Sequence, residues 1–348
     1  MITNFNAGDI YPIWIWWHID PVTDTNDSKW IVDDDPAIFN FKTAIEPSGT
    51  GTVGEPPIDD GGGGGGGNPV VTIPNFKIAF IGDEGCETET DDVIQLIQDN
   101  NYDYVVSVGD HAYAAASCWT SRFTPLKAKM NSAYGNHEYE ESGGIGPYKT
   151  FFGHALTYFT FKFQNIQFIV MDTNIDIDNG STQYNKIVEW LNAADADGTI
   201  DWVIAINHHP WWIDGSQHSA DEFDQIETYH QLFINHKVTF VLSGHNHNWQ
   251  RTHQLGYNAS DPIDAPTIVD SSSPYVNGGG LIHVVTGAGG HDSDSGLYDL
   301  PTQPSFQAYQ NNTDNGLWEI TASNNGQTLT CKFRNTDDET FDTFVINQ

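Results

Sequence analysis

The polar and apolar positions of this chain follow one rhythm through its middle and another towards its end. Residues 76–81 form an apolar run that stops at Gly82-Asp83, and residues 104–108, 166–171, 202–206 and 238–242 repeat the pattern. Short apolar runs bounded by turn residues predict strands buried on both faces. Between them, residues 91–99 place Val93, Ile94, Leu96 and Ile97 at helical spacing. Residues 183–194, with Trp190 and Leu191, and residues 223–236 also read as helices. Strands alternating with helices predict a layered α/β domain. The tail changes character: residues 281–286, 317–321, 328–333 and 343–346 read as strands with little helix between them. A second, mainly antiparallel sheet packed on the first is the arrangement this suggests.

Ahead of that domain the pattern is different. Gly61 to Gly67 are seven consecutive glycines, preceded by Asp59-Asp60 and a Pro-containing stretch. Such a run gains little from regular structure and predicts a flexible linker over 47–70. It divides an N-terminal segment, 1–46, from a main domain, 71–348. The segment alternates in Ile13-Trp14-Ile15-Trp16 and in Ile38-Phe39-Asn40-Phe41, as short strands do. It is too small to be stable without a partner. Its four tryptophans (Trp14, Trp16, Trp17 and Trp30) suit either docking to another protein or particle or packing on the main domain.

Composition narrows the function. Thirteen basic residues against 47 acidic ones leave a formal charge of −34, which disfavours nucleic-acid polymers and anionic membranes. The most apolar early stretch, residues 10–19, is interrupted by Pro12 and His18 and is too short to span a bilayer. No Lys or Arg precedes Lys29, so a secretory signal of the usual kind is not expected. Of the three cysteines, Cys86 and Cys118 each follow a strand-end motif, and either a disulfide between them or two thiols is compatible with the sequence. A disulfide would imply an oxidising compartment. Cys331, in an alternating segment, reads as a core residue. The acidic run from Asp176 to Asn179, like Asp292-Ser293-Asp294, lacks the ligand spacing of an EF-hand and reads as a solvated turn.

The chemistry sits where the apolar strands stop. Asp83, Asp110, Asn136-His137, His208-His209 and the pair His245 and His247 all follow such stops. Ligands of open α/β sheets bind beyond the carboxyl ends of the strands, so five loops are expected to meet in one crevice. Carboxylates, an amide and imidazoles together form a mixed oxygen and nitrogen donor set suited to iron, zinc or manganese. His245 and His247, two apart, would face one side of an extended stretch and reach different ions. Asp110 would bridge the two ions with both carboxylate oxygens.

These blocks resemble a known family. Gly82-Asp83-Glu84-Gly85, Gly109-Asp110-His111-Ala112-Tyr113, Gly135-Asn136-His137-Glu138, His208-His209-Pro210 and Gly244-His245-Asn246-His247 are similar to the five signature blocks of calcineurin-like metallophosphoesterases. Tyr113, three residues after Asp110, resembles the iron-binding tyrosine of purple acid phosphatases. Gln183 with Trp190-Leu191, the stretch from Asn248 to Thr252, and that from Thr286 to Gly290 extend the similarity. The resemblance implies a layered β-sandwich with mixed sheets flanked by helices, to which residues 1–46 add a short β-type appendage. It further implies one ion on Asp83, Asp110, Tyr113 and His247 and a second on Asp110, Asn136, His208 and His245. The first would be Fe(III); the second Fe(II), Zn or Mn. His137 would then face the leaving group. His111 and His209 stand as candidates for substrate contact or for support of the ligands. The implied activity is hydrolysis of small phosphate monoesters. The alternatives are a phosphodiesterase or nucleotide hydrolase on the same site, and a surface or virion structural protein keeping a phosphatase fold. Specificity would lie in residues 139–150, 211–221 and 254–280. The resemblance points outside the cytoplasm, and with the tethered N-terminal segment the expected location is extracellular, at a cell surface or on a particle.

Overall fold

The computed structural model describes residues 72–141, 143–212, 225–263, 265–291 and 304–348. All of them belong to the second of the two units into which the chain divides, Asn68–Gln348. The expectations for residues 1–46 and for the polyglycine stretch lie outside the described residues, as does that for Asp292-Ser293-Asp294.

Sixteen strands are described, most of them in two seven-stranded mixed sheets. The first sheet is begun by β1 (Phe76–Ile81), β2 (Tyr104–Ser107) and β3 (Met130–Ser132), which run parallel. It is completed by β14 (Gly316–Ser323), β15 (Thr328–Asn335) and β16 (Thr340–Asn347), an antiparallel series whose first member pairs with β1. A short β11 (Tyr275–Val276) lies beside β16.

The second sheet contains four parallel strands. These are β5 (Ile166–Val170), β6 (Trp202–Ile206), β7 (Val238–Ser243) and β12 (Ile282–Thr286). An antiparallel strand flanks them on each side, β4 (Phe159–Phe163) and β8 (Trp249–Thr252), and β13 (Gln307–Asn311) pairs antiparallel with β8 at the edge. A separate ribbon pairs β9 (Gln254–Gly256) with β10 (Thr267–Asp270).

The tail therefore corrects one expectation: it does not form a sheet of its own. Strands β14 to β16 extend the first sheet, whereas β12 and β13 enter the second. The reason is pairing. Strand β1 presents a free edge opposite β2, and the apolar face of β14 carries Trp318 and Ile320 into the same core as Phe80.

The two sheets pack face to face. Their shared core holds Phe80, Trp318 and Phe344 from one and Phe168, Ile204 and Phe240 from the other, with Phe240 and Trp318 rings 5.1 Å apart. Helices cover the outer faces, giving four layers. On the first sheet lie α1 (Thr88–Asp99), α2 (Ala116–Phe123) and, beyond a short α3 (His137–Glu140), α4 (Gly146–Phe152). Val93, Ile97, Trp119, Phe123 and Tyr148 fill that interface. On the second lie α5 (Thr182–Ala196), capped by Ser181, and α6 (Gln231–Asn235), which continues a π-helical turn, Ile226–His230. The helix expected over 223–236 is thus wider-wound at its start, where buried Ile226, Tyr229 and His230 face the sheet. Cys86 and Cys118 form a disulfide that ties the loop after β1 to α2, and Cys331 is buried in the central core.

Candidate metal centre

The carboxyl ends of β1, β2 and β3 in one sheet and of β6 and β7 in the other meet at one edge of the sandwich. The His245 amide donates to both Asp83 carboxylate oxygens, at 3.1 and 2.9 Å, and so joins the loop after β7 to the loop after β1. Two glycines allow this closeness. A side chain at Gly135 would strike Asp110 Oδ1, and one at Gly244 would strike Asp83 Oδ2. Asp83, Asp110, Tyr113 and His245 all have positive φ, between 51° and 69°. Non-glycine residues avoid this left-handed region, at a cost of about 1–2 kcal/mol each. Such strain, held in place by the surrounding sheets, is typical of functional loops.

Around Asp110 the side chains fall into two groups. On one side the Tyr113 hydroxyl lies 2.8 Å from Asp83 Oδ1, 3.3 Å from Asp110 Oδ2 and 2.8 Å from His247 Nε2. On the other, His208 Nε2 lies 3.0 Å from Asp110 Oδ2, and Asp110, His208 and His245 bring ligand atoms within 4.8 Å of one another. The Asn136 side-chain oxygen, Oδ1, is buried and receives no hydrogen bond among the described residues. Donors about 2.0–2.2 Å from a shared cation are themselves about 3 Å apart, so these spacings suit a transition-metal ion.

Two details differ from the sequence reading. Asp110 does not offer both oxygens, because Oδ1 accepts the His137 amide at 2.9 Å and only Oδ2 faces both groups. The stretch from His245 to His247 is not extended either. It bends at His245, whose φ is 69°, because its amide is drawn back to Asp83.

Electrostatics agree with a demand for positive charge. Burial raises the Asp83 carboxyl well above the usual range; the His208 imidazole opposes this, while Asp110 and Glu84 add to it. Burial alone would raise Asp110 too, but His208 and His137 hold it well below the usual range. Burial would depress the His208 imidazolium, yet Asp110, Asp83 and Glu138 raise it to about 10. The Tyr113 phenol is pushed well up by burial and then by Asp83 and Asp110. His208 Nδ1 already faces the Val108 carbonyl at 3.0 Å, which leaves Nε2 for the proton or for a cation in its place. The residues present therefore fit a metal centre: a charge-deficient cluster, an orphaned amide oxygen and an oriented imidazole.

The other candidates occupy distinct places. His137, the first residue of α3, is one-third exposed, with Nε2 4.0 Å from Asp110 Oδ2 and Nδ1 3.5 Å from Glu141 Oε1. His209 lies alongside His245, ring centroids 4.8 Å apart, with Nδ1 2.6 Å from the Thr173 hydroxyl. His111 cannot touch a substrate. It is fully buried, stacked on Trp119 at 4.2 Å, with its nitrogens beside Glu84 at 3.2 Å and Ser132 at 3.0 Å.

Three residues escaped the sequence reading. Glu138 is buried and accepts the amides of Asp110, His111 and Gly135 at 3.0, 2.6 and 2.6 Å, clamping two ligand loops together. Glu141 abuts His137. His291 follows β12, the last parallel strand of the second sheet, and stacks on Tyr113 with centroids 3.6 Å apart. The strand-end rule that found the other loops would have found it.

Comparison with known proteins agrees with this geometry. The profile described as calcineurin-like phosphoesterase matches residues 76–249, half of the chain. The chain belongs to that family. Residues 280–343 match the region described as iron/zinc purple acid phosphatase-like protein C, and this region supplies most of the strands that complete the first sheet. A nucleotide pyrophosphatase/phosphodiesterase of Hordeum vulgare is 27% identical over 73% of this chain and 74% of its own. A probable inactive purple acid phosphatase 27 of Arabidopsis thaliana is 29% identical, over 72% of this chain but 44% of its own. Among solved structures, a purple acid phosphatase from yellow lupin (Lupinus luteus) seeds shares the fold. Its TM-score is 0.63 at 21% identity, covering 79% of this chain and 54% of that one. The chain thus spans about half the length of several relatives it matches. No helix among the described residues is long and apolar enough to cross a membrane.

Proposed function

We propose that the phosphoesterase domain hydrolyses small phosphate monoesters at a two-metal centre. The observation that carries this reading is Asp110 Oδ2, which faces Tyr113 on one side and His208 on the other. Asp83, Asp110, Tyr113 and His247 would hold one ion, iron being suited to the phenol. Asp110, Asn136, His208 and His245 would hold the second, iron, zinc or manganese. Bound there, the pair supplies an activated water and neutralises phosphoryl oxygens, which suits a site rich in carboxylates.

The chain's own residues do the rest. Asp110 keeps one oxygen between the two groups while its other is held by the His137 amide. His137 Nε2 faces the same oxygen from the solvent side, and an imidazolium there would donate its proton to the departing alkoxide. Glu141 Oε1, 3.5 Å from Nδ1, would close on that nitrogen to orient the ring for the transfer. His209, fixed by Thr173, would line the approach beside His245.

A phosphodiester or nucleotide pyrophosphate is the second reading, favoured by the barley relative, which matches over most of both chains. The disulfide supports a compartment outside the cytoplasm. Residues 1–46 would attach the enzyme to another protein or particle.

Metal analysis of the purified chain, its visible spectrum and its hydrolysis of a nitrophenyl monoester and diester test this together. About two metals per chain including iron, a violet-to-purple band and monoester turnover are expected. Preference for the diester would select the second reading. A protein that takes up no metal would overturn both and leave a structural role on a phosphatase fold.

A further inference from the structure

Tyr113 is unlike the other candidate ligands, because its donor atom stands at the end of a ring whose plane must be held from outside its own loop. That loop leaves β2 through left-handed residues at Asp110 and Tyr113 and continues through Ala114 and Ala115, whose side chains have no polar atom to brace it. The brace comes from elsewhere in the chain. The His291 imidazole lies on the phenol with centroids 3.6 Å apart and planes 10° from parallel. The His291 amide donates to the Asp83 carbonyl at 3.0 Å, and the Gly289 amide to the Gly82 carbonyl at 2.9 Å. The end of β12 is therefore sewn to the end of β1.

The imidazole is itself oriented. Its Nδ1 lies 3.1 Å from Glu87 Oε1, while Glu87 Oε2 accepts the Cys86 amide at 2.6 Å. Cys86 is tied through its disulfide to α2, so the anchor of the anchor is fixed as well. Room for the pair depends on Gly85. It has φ of 67°, and a side chain there would collide with Glu87 Oε2 and crowd His291 Nδ1 at 3.0 Å.

We propose that His291, oriented by Glu87, is a positioning residue for Tyr113 that fixes the plane in which the phenol presents its oxygen to the metal centre. This rests on the assignment of Tyr113 as a ligand. The plane matters because a phenolate binds an iron ion through orbitals perpendicular to its ring as well as in it. Ring orientation thus governs both binding and the charge-transfer band. A contact without a positioning role could be removed with no effect on the phenol ring or on the metal.

The test compares the full chain with the variants His291→Ala, His291→Phe and Glu87→Ala, metal-free and loaded with Fe(III). In the metal-free protein, NMR of labelled tyrosine rings, with Tyr113 assigned by its loss in Tyr113→Phe, reads ring position and flipping. His291→Ala should shift the Tyr113 ring signals and speed its flips, Glu87→Ala should do so in part, and His291→Phe should restore the slow flips. In the loaded protein, His291→Ala should displace the visible band and weaken iron binding about 10- to 100-fold, as loss of an outer support typically does. His291→Phe should recover most of that affinity. Unchanged Tyr113 signals and iron affinity within about twofold in His291→Ala would overturn the proposal. If His291→Ala does not fold, Glu87→Ala measured against His291→Phe decides by the same signals. If the unmutated chain binds iron without the band, the ligand assignment of Tyr113 falls, and the metal-free spectra still decide whether His291 holds the ring.

Discussion

Asp110 Oδ2 lies 3.0 Å from His208 Nε2, with both side chains sealed from solvent. Two hydrogen-bonding groups this close in a buried cluster share either a proton or a cation. Asp110→Asn removes the charge and turns an amide towards one of the two groups. The expected result is metal retention weakened beyond the roughly 100-fold seen on losing an outer support. Elemental analysis after dialysis, set against Glu189→Gln on the exposed face of α5, reads it.

His137 offers a test in leaving-group chemistry. If its proton goes to the departing oxygen, His137→Ala should slow an alkyl phosphate by about 10²–10⁴-fold. A nitrophenyl ester, whose leaving group needs little help, should lose far less. Equal losses on both substrates would show that the imidazole acts in some other way.

Glu138 makes a structural prediction. Its carboxylate accepts three backbone amides in a buried pocket, and Glu138→Ala would strand all three. Each stranded group costs about 1–3 kcal/mol, so a loss of about 3 kcal/mol or more is expected. Glu138→Gln, which keeps an acceptor, should lose less. Chemical denaturation of the three proteins measures the order.

Away from the centre, His230 and His283 are buried with ring centroids 5.9 Å apart. Burial lowers His230 to about 4 and lowers His283 still more clearly, the neighbouring His230 adding to the effect. Both are neutral in the folded chain, and the unfolded chain takes up their protons first, near pH 6.5. Stability contributed by their neutrality is therefore complete above about 6.5 and is lost as pH falls towards 4. For His230 the loss is about 3 kcal/mol. Melting curves across that window should flatten in His230→Phe.

Much of this was legible in the sequence because the informative residues are local. An apolar run followed by Gly-Asp or by His-His announces both a strand and what its end presents, and β1, β2, β6 and β7 were readable on that ground. What the sequence hid was long-range. Which free edge the tail strands would take depended on β1, some 240 residues earlier, and no periodicity encodes that pairing. The same holds for the Asp110 carboxylate, since one oxygen is claimed by an amide whose position is set only once α3 begins. Glu138 was in plain view inside a recognised block, yet a glutamate beside a helix start reads as solvated until three amides are seen around it. His291 was missed because its strand lay in the tail, where chemistry was not sought.

The pairing of β1 with β14 also orders events in time. All seven candidate ligands lie between Asp83 and His247, so a chain being synthesised carries every donor long before residues 316–347 emerge. Until they do, β1 has a neighbour on one side only, and the loop bearing Asp83 hangs from the rim of an unfinished sheet. Possession of the donors and possession of the cage are therefore separated by about 70 residues of synthesis, several seconds at ordinary elongation rates. A chain stopped after His247 would present oxygen and nitrogen ligands to any passing ion without the geometry to discriminate among them.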